Sequence, residues 1–440
     1  MASGTAVSTL TASKMSRLGD VLVNHDGGLR GRYNAVRQAT AWLCEPLVAE
    51  DYVLQSMPDA SPIRWHIAHT TWFFETFVLS HLPGYQPFHP QFKFLFNSYY
   101  NAVGPRWPRP QRGVLSRPTV AEIINYRAYV DRHMDKLFDV ATADLPHELH
   151  DTLILGCHHE QQHQELMLTD LKHAWGMNPI NPVYRAFLPP EKNPPRLQWF
   201  SYAEILAWIG HEGRGFAFDN ESPRHRTFVH AFELASRLVT NGEYSAFMSD
   251  GGYARSELWL SDGWNASQSH GWLAPLYWEE RDHQWTMYTL SGRRPVAPDD
   301  PVCHLSFYEA DAFSRWAGAR LPTEAEWETA AEAIPPAGHF VEGGHFQPSA
   351  SASIDDVGPI HQLYGDVWQW TASPYVGYPG YKATSGALGE YNGKFMCSQL
   401  VLRGASCATP RSHARRTYRN FFPPEARWQF AGLRLAKDLT

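Results

Sequence analysis

The chain has 440 residues, a formal net charge of −7, and 43% hydrophobic and 19% charged residues. That length exceeds one ordinary domain and predicts two hydrophobic cores. The acidic balance does not favour nucleic acid as a partner, because a phosphate backbone binds to a basic face. No stretch approaches about 18 consecutive apolar residues, so no membrane-spanning helix is predicted. The polar first 27 residues lack the apolar run of a signal peptide, and we expect a cytoplasmic protein whose oligomeric state the sequence leaves open.

Four amphipathic helices are predicted after an N-terminal tail of residues 1–27. A capping box from Thr119 to Glu122 precedes the third helix, and Gly176 ends the fourth. Four long helices in succession predict an antiparallel bundle over residues 28–180, and such bundles often hold metal sites between facing helices. The predicted helices span residues 29–47, 61–82, 119–138 and 145–175.

The rest of the chain, residues 181–440, has a different composition. It is rich in Pro, Gly and Trp, and a helical period survives only in short stretches. We expect an irregular α+β domain that begins with a linker at about residues 181–200. Within the bundle, an aromatic loop over residues 83–118 joins the second and third helices, and a loop of that length is usually functional or covers a cavity.

The stretch "GCHHEQQHQELML", residues 156–168, concentrates candidate metal ligands on the fourth helix. Residues four apart share a helix face, so His159 and His163 point the same way, and Gln162 points toward whatever they bind. Glu165 points largely elsewhere, which suits a residue that supports a ligand better than it suits a ligand. His158 lies off the ligand face and is expected to be structural.

The second helix offers a third imidazole. Its motif "WHIAH" contains His66 and His69, and we select His69 because His66 lies nearer the helix start, where capping or packing is the usual role. Three neutral imidazoles leave a divalent ion its full charge and several open positions. That arrangement suits Fe(II) that binds an anionic thiolate together with O2.

Residues 159–163 also match HExxH, the zinc-hydrolase motif in which Glu160 is the general base. That alternative needs a third ligand in a known continuation of the motif. Neither HxxGxxH nor a following helix with a suitable glutamate continues it here. The pattern therefore disfavours a zinc hydrolase.

Several long motifs in a fixed order resemble one family. The helical half, through "WHIAH" and "HHEQQHQE", resembles a DinB-like bundle. The second half resembles the formylglycine-generating-enzyme (sulfatase-modifying-factor) fold through "FAFDNESPRHR", "GDVWQWTASPY" and "VLRGASCATPRSHARRTYRNFFPP". Together they resemble the EgtB-type iron-dependent sulfoxide synthases of ergothioneine biosynthesis. The copper chemistry of the formylglycine-generating enzyme needs a cysteine pair, whereas Cys407 stands alone, so the fold is expected without that chemistry.

The resemblance implies an Fe(II) cofactor on His69, His159 and His163, with hercynine (N-α-trimethylhistidine), a cysteine-type thiol and O2 as substrates. In that reaction a C–S bond forms at the imidazole C2 and the sulfur becomes a sulfoxide. Gln162 resembles the family residue that binds hercynine. A trimethylammonium group is held best by aromatic faces. The loop "TYRNFFPP" offers three rings and a polar contact, with interface packing as the alternative role of its phenylalanines: Tyr418, Phe421, Phe422 and Asn420.

The resemblance also bears on the proton donor and on the sulfur donor. Tyr99 and Tyr100 in "FNSYYNAVG" resemble a branch in which a tyrosine pair of this loop supplies the proton. The branch that uses γ-glutamylcysteine has Asn-Trp-Asp where this chain has Asn420-Phe421-Phe422, so the acidic partner of the glutamyl ammonium group is absent here. Free cysteine is therefore the expected donor and γ-glutamylcysteine the second candidate.

The donor carboxylate needs a cation. Arg109 and Arg112 in "RWPRPQRG" are the candidates, since arginine suits a planar partner, and Arg427 is a weaker one. Solvated loop arginines are the alternative interpretation of the pair.

Two other functions would use the same histidines. A DinB-type thiol S-transferase would bind Zn(II) or another divalent ion and would need no O2. A non-enzymatic binding protein with a structural metal would need a fourth protein ligand, and the sequence offers no obvious one. Dependence on O2 separates the first alternative from the sulfoxide synthase, and turnover separates both enzymes from the second.

Overall fold

The computed structural model describes residues 28–141, 145–187, 194–350 and 360–439. The tail predicted over residues 1–27 and part of the predicted linker, residues 188–193, lie outside the described residues. Within the described ranges, no helix is long and apolar enough to cross a membrane.

The N-terminal half contains the four long helices, with one short helix between the second and third. The first helix ends just before Pro46, which cannot continue it. The second ends at Phe77, before the predicted end at residue 82, because a separate 3-10 turn follows over Leu79–His81. The helices are α1 (Gly28–Cys44), α2 (Ile63–Phe77), α3 (Phe92–Leu95), α4 (Val120–Ala141) and α5 (His147–Gly176).

Local signals set the ends and the spacing of these helices. The capping box before α4 is confirmed: the backbone N–H of Thr119 donates to Glu122 Oε2 at 2.7 Å, and the N–H of Glu122 donates to Thr119 Oγ1 at 3.3 Å. At the crossing of α2 and α5, a Cβ at Gly156 would lie 2.5 Å from the ring of Phe74. Only glycine permits this close approach, which brings the histidine faces of the two helices together.

The C-terminal half is the irregular α+β domain that the sequence predicts. Its sheets are small: β1-β4-β14, β12-β11-β10-β13, β2-β3, β5-β6-β7 and β8-β9. The strands are β1 (Trp199–Tyr202), β2 (Ile205–Ile209), β3 (His225–Val229), β4 (Phe232–Ala235), β5 (Trp278–Arg281), β6 (Gln284–Thr289), β7 (Gly292–Pro295), β8 (Gly338–His339), β9 (Tyr364–Gly365), β10 (Trp368–Pro374), β11 (Leu400–Arg403), β12 (Asn420–Phe422), β13 (Ala431–Gly432) and β14 (Ala436–Asp438). The helices are α6 (Asn241–Ser249), α7 (Ser261–Ser269), α8 (Phe307–Trp316), α9 (Glu324–Ala330) and α10 (Glu390–Gly393).

The two halves share apolar packing. The hydrophobic core of the bundle also contains Phe346, Val367 and Phe430 from the C-terminal half, and a second core surrounds Trp327 and Trp370. Strand β12 pairs with β11 in antiparallel register, Leu402 opposite Asn420 and Leu400 opposite Phe422. This edge strand therefore holds the aromatic segment Asn420–Phe422 in extended form beside the bundle.

Candidate metal centre and substrate cavity

Three imidazoles from two helices converge at one point. His69 comes from α2, and His159 and His163 come from successive turns of α5. One ring nitrogen of each lies within 4.8 Å of the other two, and the Nε2 atoms of His69 and His159 are 3.2 Å apart. The structure thus brings together the three residues that the sequence proposes as metal ligands.

Hydrogen bonds behind the rings decide which nitrogens face the centre. His69 Nδ1 lies 2.6 Å from the carbonyl oxygen of Phe96, so Nδ1 donates and Nε2 keeps its lone pair. His66 Nε2 lies 3.1 Å from Asp170 Oδ2, and His66 Nδ1 lies 2.8 Å from His163 Nδ1. Because the carboxylate can only accept, His66 donates from Nε2 and accepts at Nδ1, and His163 Nε2 is left for a metal.

His66 therefore has a role that the sequence interpretation missed. It orients a ligand instead of capping or packing the helix. The signal was its position three residues before His69, which puts both imidazoles on one side of α2.

The electrostatics favour neutral ligands. Burial lowers the pKa of His159 to about 4. Burial, followed by the neighbouring His159, lowers the pKa of both His69 and His163 well below the usual histidine value. Neutral imidazoles are the form that binds metal. Within the described residues, the buried Nδ1 of His159 has no hydrogen-bond partner, and the donor set as a whole fits a divalent first-row ion with open positions.

Aromatic stacking fixes the plane of His69. Its ring lies between Trp65, at 4.6 Å and 12°, and Trp72, at 5.4 Å and 15°. The guanidinium of Arg112 lies 3.3 Å from the centre of the Trp65 ring on α2. A continuous stack from Arg112 to Trp72 therefore holds the α2 ligand in one orientation.

Glu160, the residue that a zinc hydrolase would use as its base, faces away from the histidines. Its carboxylate accepts from Arg37 Nη1 at 2.8 Å, Arg127 Nη2 at 2.6 Å and Thr40 Oγ1 at 2.6 Å. Burial disfavours the charge, but the two arginines outweigh it and lower the pKa of Glu160 to about 2. A carboxylate held by two cations inside the bundle cannot take a proton from water at the metal, and the HExxH interpretation lacks its base.

A cavity of about 610 Å³ opens beside the three histidines and is lined by both halves of the chain. Every residue that the sequence proposes as a catalytic or substrate-binding group lines it. These are Tyr99, Tyr100, Arg109, Arg112, Gln162, Tyr418, Asn420, Phe421 and Phe422.

The two loop arginines differ in their surroundings. Arg112 is buried and donates to two hydroxyls, Ser61 at 2.8 Å and Ser98 at 3.0 Å. In the described part of the chain its Nε has no partner and no carboxylate pairs with it. Burial lowers the pKa of Arg112 to about 9. Arg109 is about one-third exposed, donates to Tyr99 Oη at 3.0 Å, and lies 3.9 Å from the carboxylate of Asp59.

The weaker arginine candidate, Arg427, also lines the cavity. Its guanidinium already donates to Glu309 Oε1 at 2.8 Å, and it lies over the Trp272 ring. A guanidinium with an internal carboxylate has less to gain from an anionic ligand than Arg112 has.

The α5 residues beside the ligands reach the C-terminal half. Gln162 donates from Nε2 to Tyr418 Oη at 2.8 Å. Glu165 accepts from Ser406 Oγ at 2.5 Å, Thr409 Oγ1 at 2.6 Å and Trp368 Nε1 at 2.8 Å. Glu165 was expected to support a ligand, but its hydrogen bonds join the two halves of the chain instead.

The tyrosine pair, Tyr99 and Tyr100, lies between the metal centre and Tyr391, a residue that no sequence motif indicated. Tyr100 is buried against Trp72, and burial raises the pKa of its phenol. Tyr99 packs against Tyr391 of α10, with ring centres 5.7 Å apart, and Tyr391 also lines the cavity. Sequence reasoning missed Tyr391 because its segment is short and aperiodic, and only the tertiary contact reveals it.

Family models match both halves. The model of the DinB superfamily matches residues 32–167. The model of the sulfatase-modifying factor enzyme 1-like domain matches residues 203–358 and 348–439. These matches confirm the fold class expected from the motifs, a DinB-like bundle followed by a domain of the formylglycine-generating-enzyme type.

Two hercynine oxygenases are similar to this chain over most of its length, and an ergothioneine biosynthesis protein is similar over about half of it. The hercynine oxygenase of Mycobacterium tuberculosis is 31% identical over 87% of this chain and 92% of its own length. That of Mycolicibacterium thermoresistibile is 30% identical over 87% of this chain and 88% of its own length. Ergothioneine biosynthesis protein 1 of Schizosaccharomyces pombe is 26% identical over 51% of this chain and 28% of its own. The chain, with its three-histidine centre between the two domains, belongs to the hercynine oxygenase (EgtB) family.

Proposed function

We propose that the chain is an Fe(II)- and O2-dependent sulfoxide synthase of ergothioneine biosynthesis that joins the sulfur of cysteine to the imidazole C2 of hercynine. The observation that carries this proposal is the three-histidine centre, neutral and open, at one end of a cavity that also contains an unpaired buried guanidinium and a wall of aromatic rings. Its similarity to two hercynine oxygenases supports the choice of substrate.

The proposed reaction balances without an added reductant. Hercynine loses the C2 hydrogen, cysteine loses the thiol hydrogen, and a C–S bond forms, which releases two electrons. Oxidation of the sulfur to the sulfoxide releases two more. The four electrons reduce O2, of which one oxygen enters the sulfoxide and the other leaves as water. When bound, Fe(II) supplies the site at which thiolate and O2 meet and exchange electrons.

Hercynine would occupy the α5 side of the cavity. The side chain of Gln162 points into this region and can hydrogen-bond an imidazole nitrogen, while Tyr418 Oη holds that amide in place. The trimethylammonium group cannot donate a hydrogen bond, so the rings of Phe421 and Phe422 suit it through cation–π attraction. Asn420 offers the polar contact.

Cysteine would bind near Arg112. Its guanidinium has lost water through burial and lacks an internal carboxylate, so a carboxylate ligand would restore the missing charge pair. Arg109, at the more exposed rim, would act as a second and weaker contact.

The tyrosine pair would supply the proton that leaves with water. A phenol is protonated at neutral pH, and burial raises the pKa of Tyr100 further, so this group keeps its proton until a stronger base forms beside it. Tyr99 Oη accepts from Arg109 Nη1, which leaves the hydroxyl hydrogen of Tyr99 free to donate into the cavity.

Mass spectrometry of products tests the proposal. Metal-free protein is loaded anaerobically with Fe(II), then given hercynine, O2 and either cysteine or γ-glutamylcysteine. We expect hercynyl-cysteine sulfoxide from cysteine, with one oxygen atom from ¹⁸O2, and no product without O2. Product from γ-glutamylcysteine alone would contradict the choice of donor. An O2-independent adduct formed with Zn(II) would replace the proposal with the thiol S-transferase.

A further inference from the structure

The loop that bears Tyr99 and Tyr100 has little regular structure of its own. We call residues 97–104 the tyrosine loop. Inside it, Asn97 Nδ2 donates to the carbonyl oxygens of Tyr100, at 2.9 Å, and Gly104, at 3.0 Å, and a 3-10 turn covers only Asn101–Val103. Asn101 and Ala102 are exposed residues. Such a segment needs external contacts to keep its side chains in one position.

The bundle holds Tyr100 against Trp72 and Phe77, and the other domain supplies the contacts to the backbone around Tyr99. We call residues 390–395 the clamp segment. Both oxygens of its Glu390 accept backbone hydrogen bonds from the tyrosine loop: Oε2 from Asn101 N at 2.9 Å and Oε1 from Ala102 N at 2.7 Å. Lys394 Nζ donates to the carbonyl oxygen of Tyr99 and lies 3.5 Å from Glu390. Three backbone groups of the loop are thus held by two charged side chains.

Apolar contacts continue the same connection to the aromatic wall. The rings of Tyr391 and Phe395 lie 5.7 Å and 5.0 Å from that of Tyr99. Phe395 also lies 5.7 Å from Phe421, which belongs to the edge strand β12. The clamp segment therefore sits between the tyrosine loop and the proposed hercynine wall, and touches both.

We infer that Glu390 is a positioning residue, which holds the tyrosine loop against the cavity through the backbone N–H groups of Asn101 and Ala102. Glu390 does not line the cavity, so it acts through the loop and not on substrate. Its effect on turnover rests on the proposed function, whereas its hold on the loop does not. The position of Tyr99 thus depends on the docking of the C-terminal domain, whereas Tyr100 also packs against Trp72 and Phe77 of the bundle.

Hydrogen–deuterium exchange measures the hold directly. In Glu390→Ala both carboxylate acceptors are lost, and we expect the amide of Ala102 to exchange about tenfold faster, as loss of a charge-assisted hydrogen bond predicts. The amide of Asn101 also donates to the carbonyl oxygen of Tyr99 at 3.1 Å, so its exchange should rise by less. Glu390→Gln keeps one good acceptor and should fall between wild type and Glu390→Ala. The control is Glu122→Ala, which removes a glutamate that accepts from a backbone N–H far from the cavity. It should leave exchange in the tyrosine loop unchanged.

Turnover then tests the consequence. For Glu390→Ala we expect kcat to fall about tenfold, and KM for hercynine to stay within about twofold because Gln162 and β12 are untouched. Unchanged exchange at Asn101 and Ala102 would overturn the inference, and so would faster exchange with wild-type kcat. Exchange needs no turnover, so a wild-type protein that makes no sulfoxide would count against the proposed function alone.

Discussion

Helix α5 withdraws a carboxylate from water on each of two sides, and the two carboxylates have different partners. On the bundle side, Glu160 is fully buried and paired with Arg37 and Arg127. On the side that faces the C-terminal domain, Glu165 is partly buried and accepts only from neutral groups, two hydroxyls and the indole of Trp368. Burial lifts the pKa of Glu165 above its usual value, whereas the arginines hold the pKa of Glu160 at about 2.

The two glutamates have different structural roles. The ion pairs of Glu160 keep the metal centre rigid, and the hydrogen bonds of Glu165 join the domains. A buried charge that two cations compensate is costly to disturb, so the bundle side fixes the helix that carries His159 and His163. The hydroxyl and indole donors to Glu165 are neutral, so changing that contact leaves no unpaired buried cation. Loss of the contacts of Glu165 should therefore destabilise the protein less than loss of the ion pairs of Glu160.

The largest expected effect is at the metal centre. His163→Ala removes a proposed metal ligand, and activity should fall on the order of a thousandfold or more, since several kcal/mol of stabilisation by the ion would be lost. His66→Ala leaves the three ligands but removes the partner of His163, so metal affinity should fall by about 10- to 100-fold. Titration of the metal-free protein with Fe(II) and assay of turnover measure both. The control, His133→Ala on α4, should match wild type, and equal loss in all three variants would indicate misfolding instead.

Urea unfolding sharpens the comparison of the two glutamates. Glu160→Gln removes the carboxylate paired with buried Arg127 and leaves Arg37 with Asp131 alone, and it should cost about 3–5 kcal/mol of unfolding free energy. Glu165→Gln keeps an acceptor for neutral donors and should cost about 1 kcal/mol or less. Comparable losses in the two variants would show that the charges on the bundle side are not what stabilises α5.

Parts of this site follow from sequence because they lie on one helix. The period of α5 puts His159, Gln162 and His163 on a common face, and the position of His69 farther from the start of the second helix than His66 selects it as their partner. Periodicity says nothing about contacts between distant segments. The partners of Glu165 lie more than 200 residues away in the chain.

The same limit applies to the parts that sequence reasoning missed. His66 was judged by its distance from the helix start, although its role depends on Asp170 of another helix. Tyr391 lies in a segment without a period or a motif. In both cases the chemistry arises from tertiary packing, which helix propensity and spacing do not encode.

The two loop arginines give a smaller and more specific test. Arg112→Lys keeps the charge but loses the planar pair of donors, and KM for cysteine should rise about 30-fold, the range for hydrogen bonds to a charged group. Arg109→Lys, at a site about one-third exposed and near Asp59, should change KM for cysteine by less than about threefold. Both are measured at saturating hercynine. If KM for hercynine changed and KM for cysteine did not, Arg112 would bind hercynine and the proposed contact with cysteine would be wrong.

The smallest expected effect concerns the choice of sulfur donor at the domain side of the cavity. Phe422→Asp places a carboxylate on the edge strand β12, where it could pair with the ammonium group of a γ-glutamyl moiety. A solvent-accessible pair contributes up to about 1 kcal/mol, so the ratio of kcat/KM for γ-glutamylcysteine to that for cysteine should rise by up to about fivefold. Phe422→Asn has nearly the same size without the charge and should leave the ratio unchanged. An equal shift in both variants would mean that the size of the side chain at residue 422, and not its charge, controls the choice of sulfur donor. The acidic residue of the other branch would then not act through its charge.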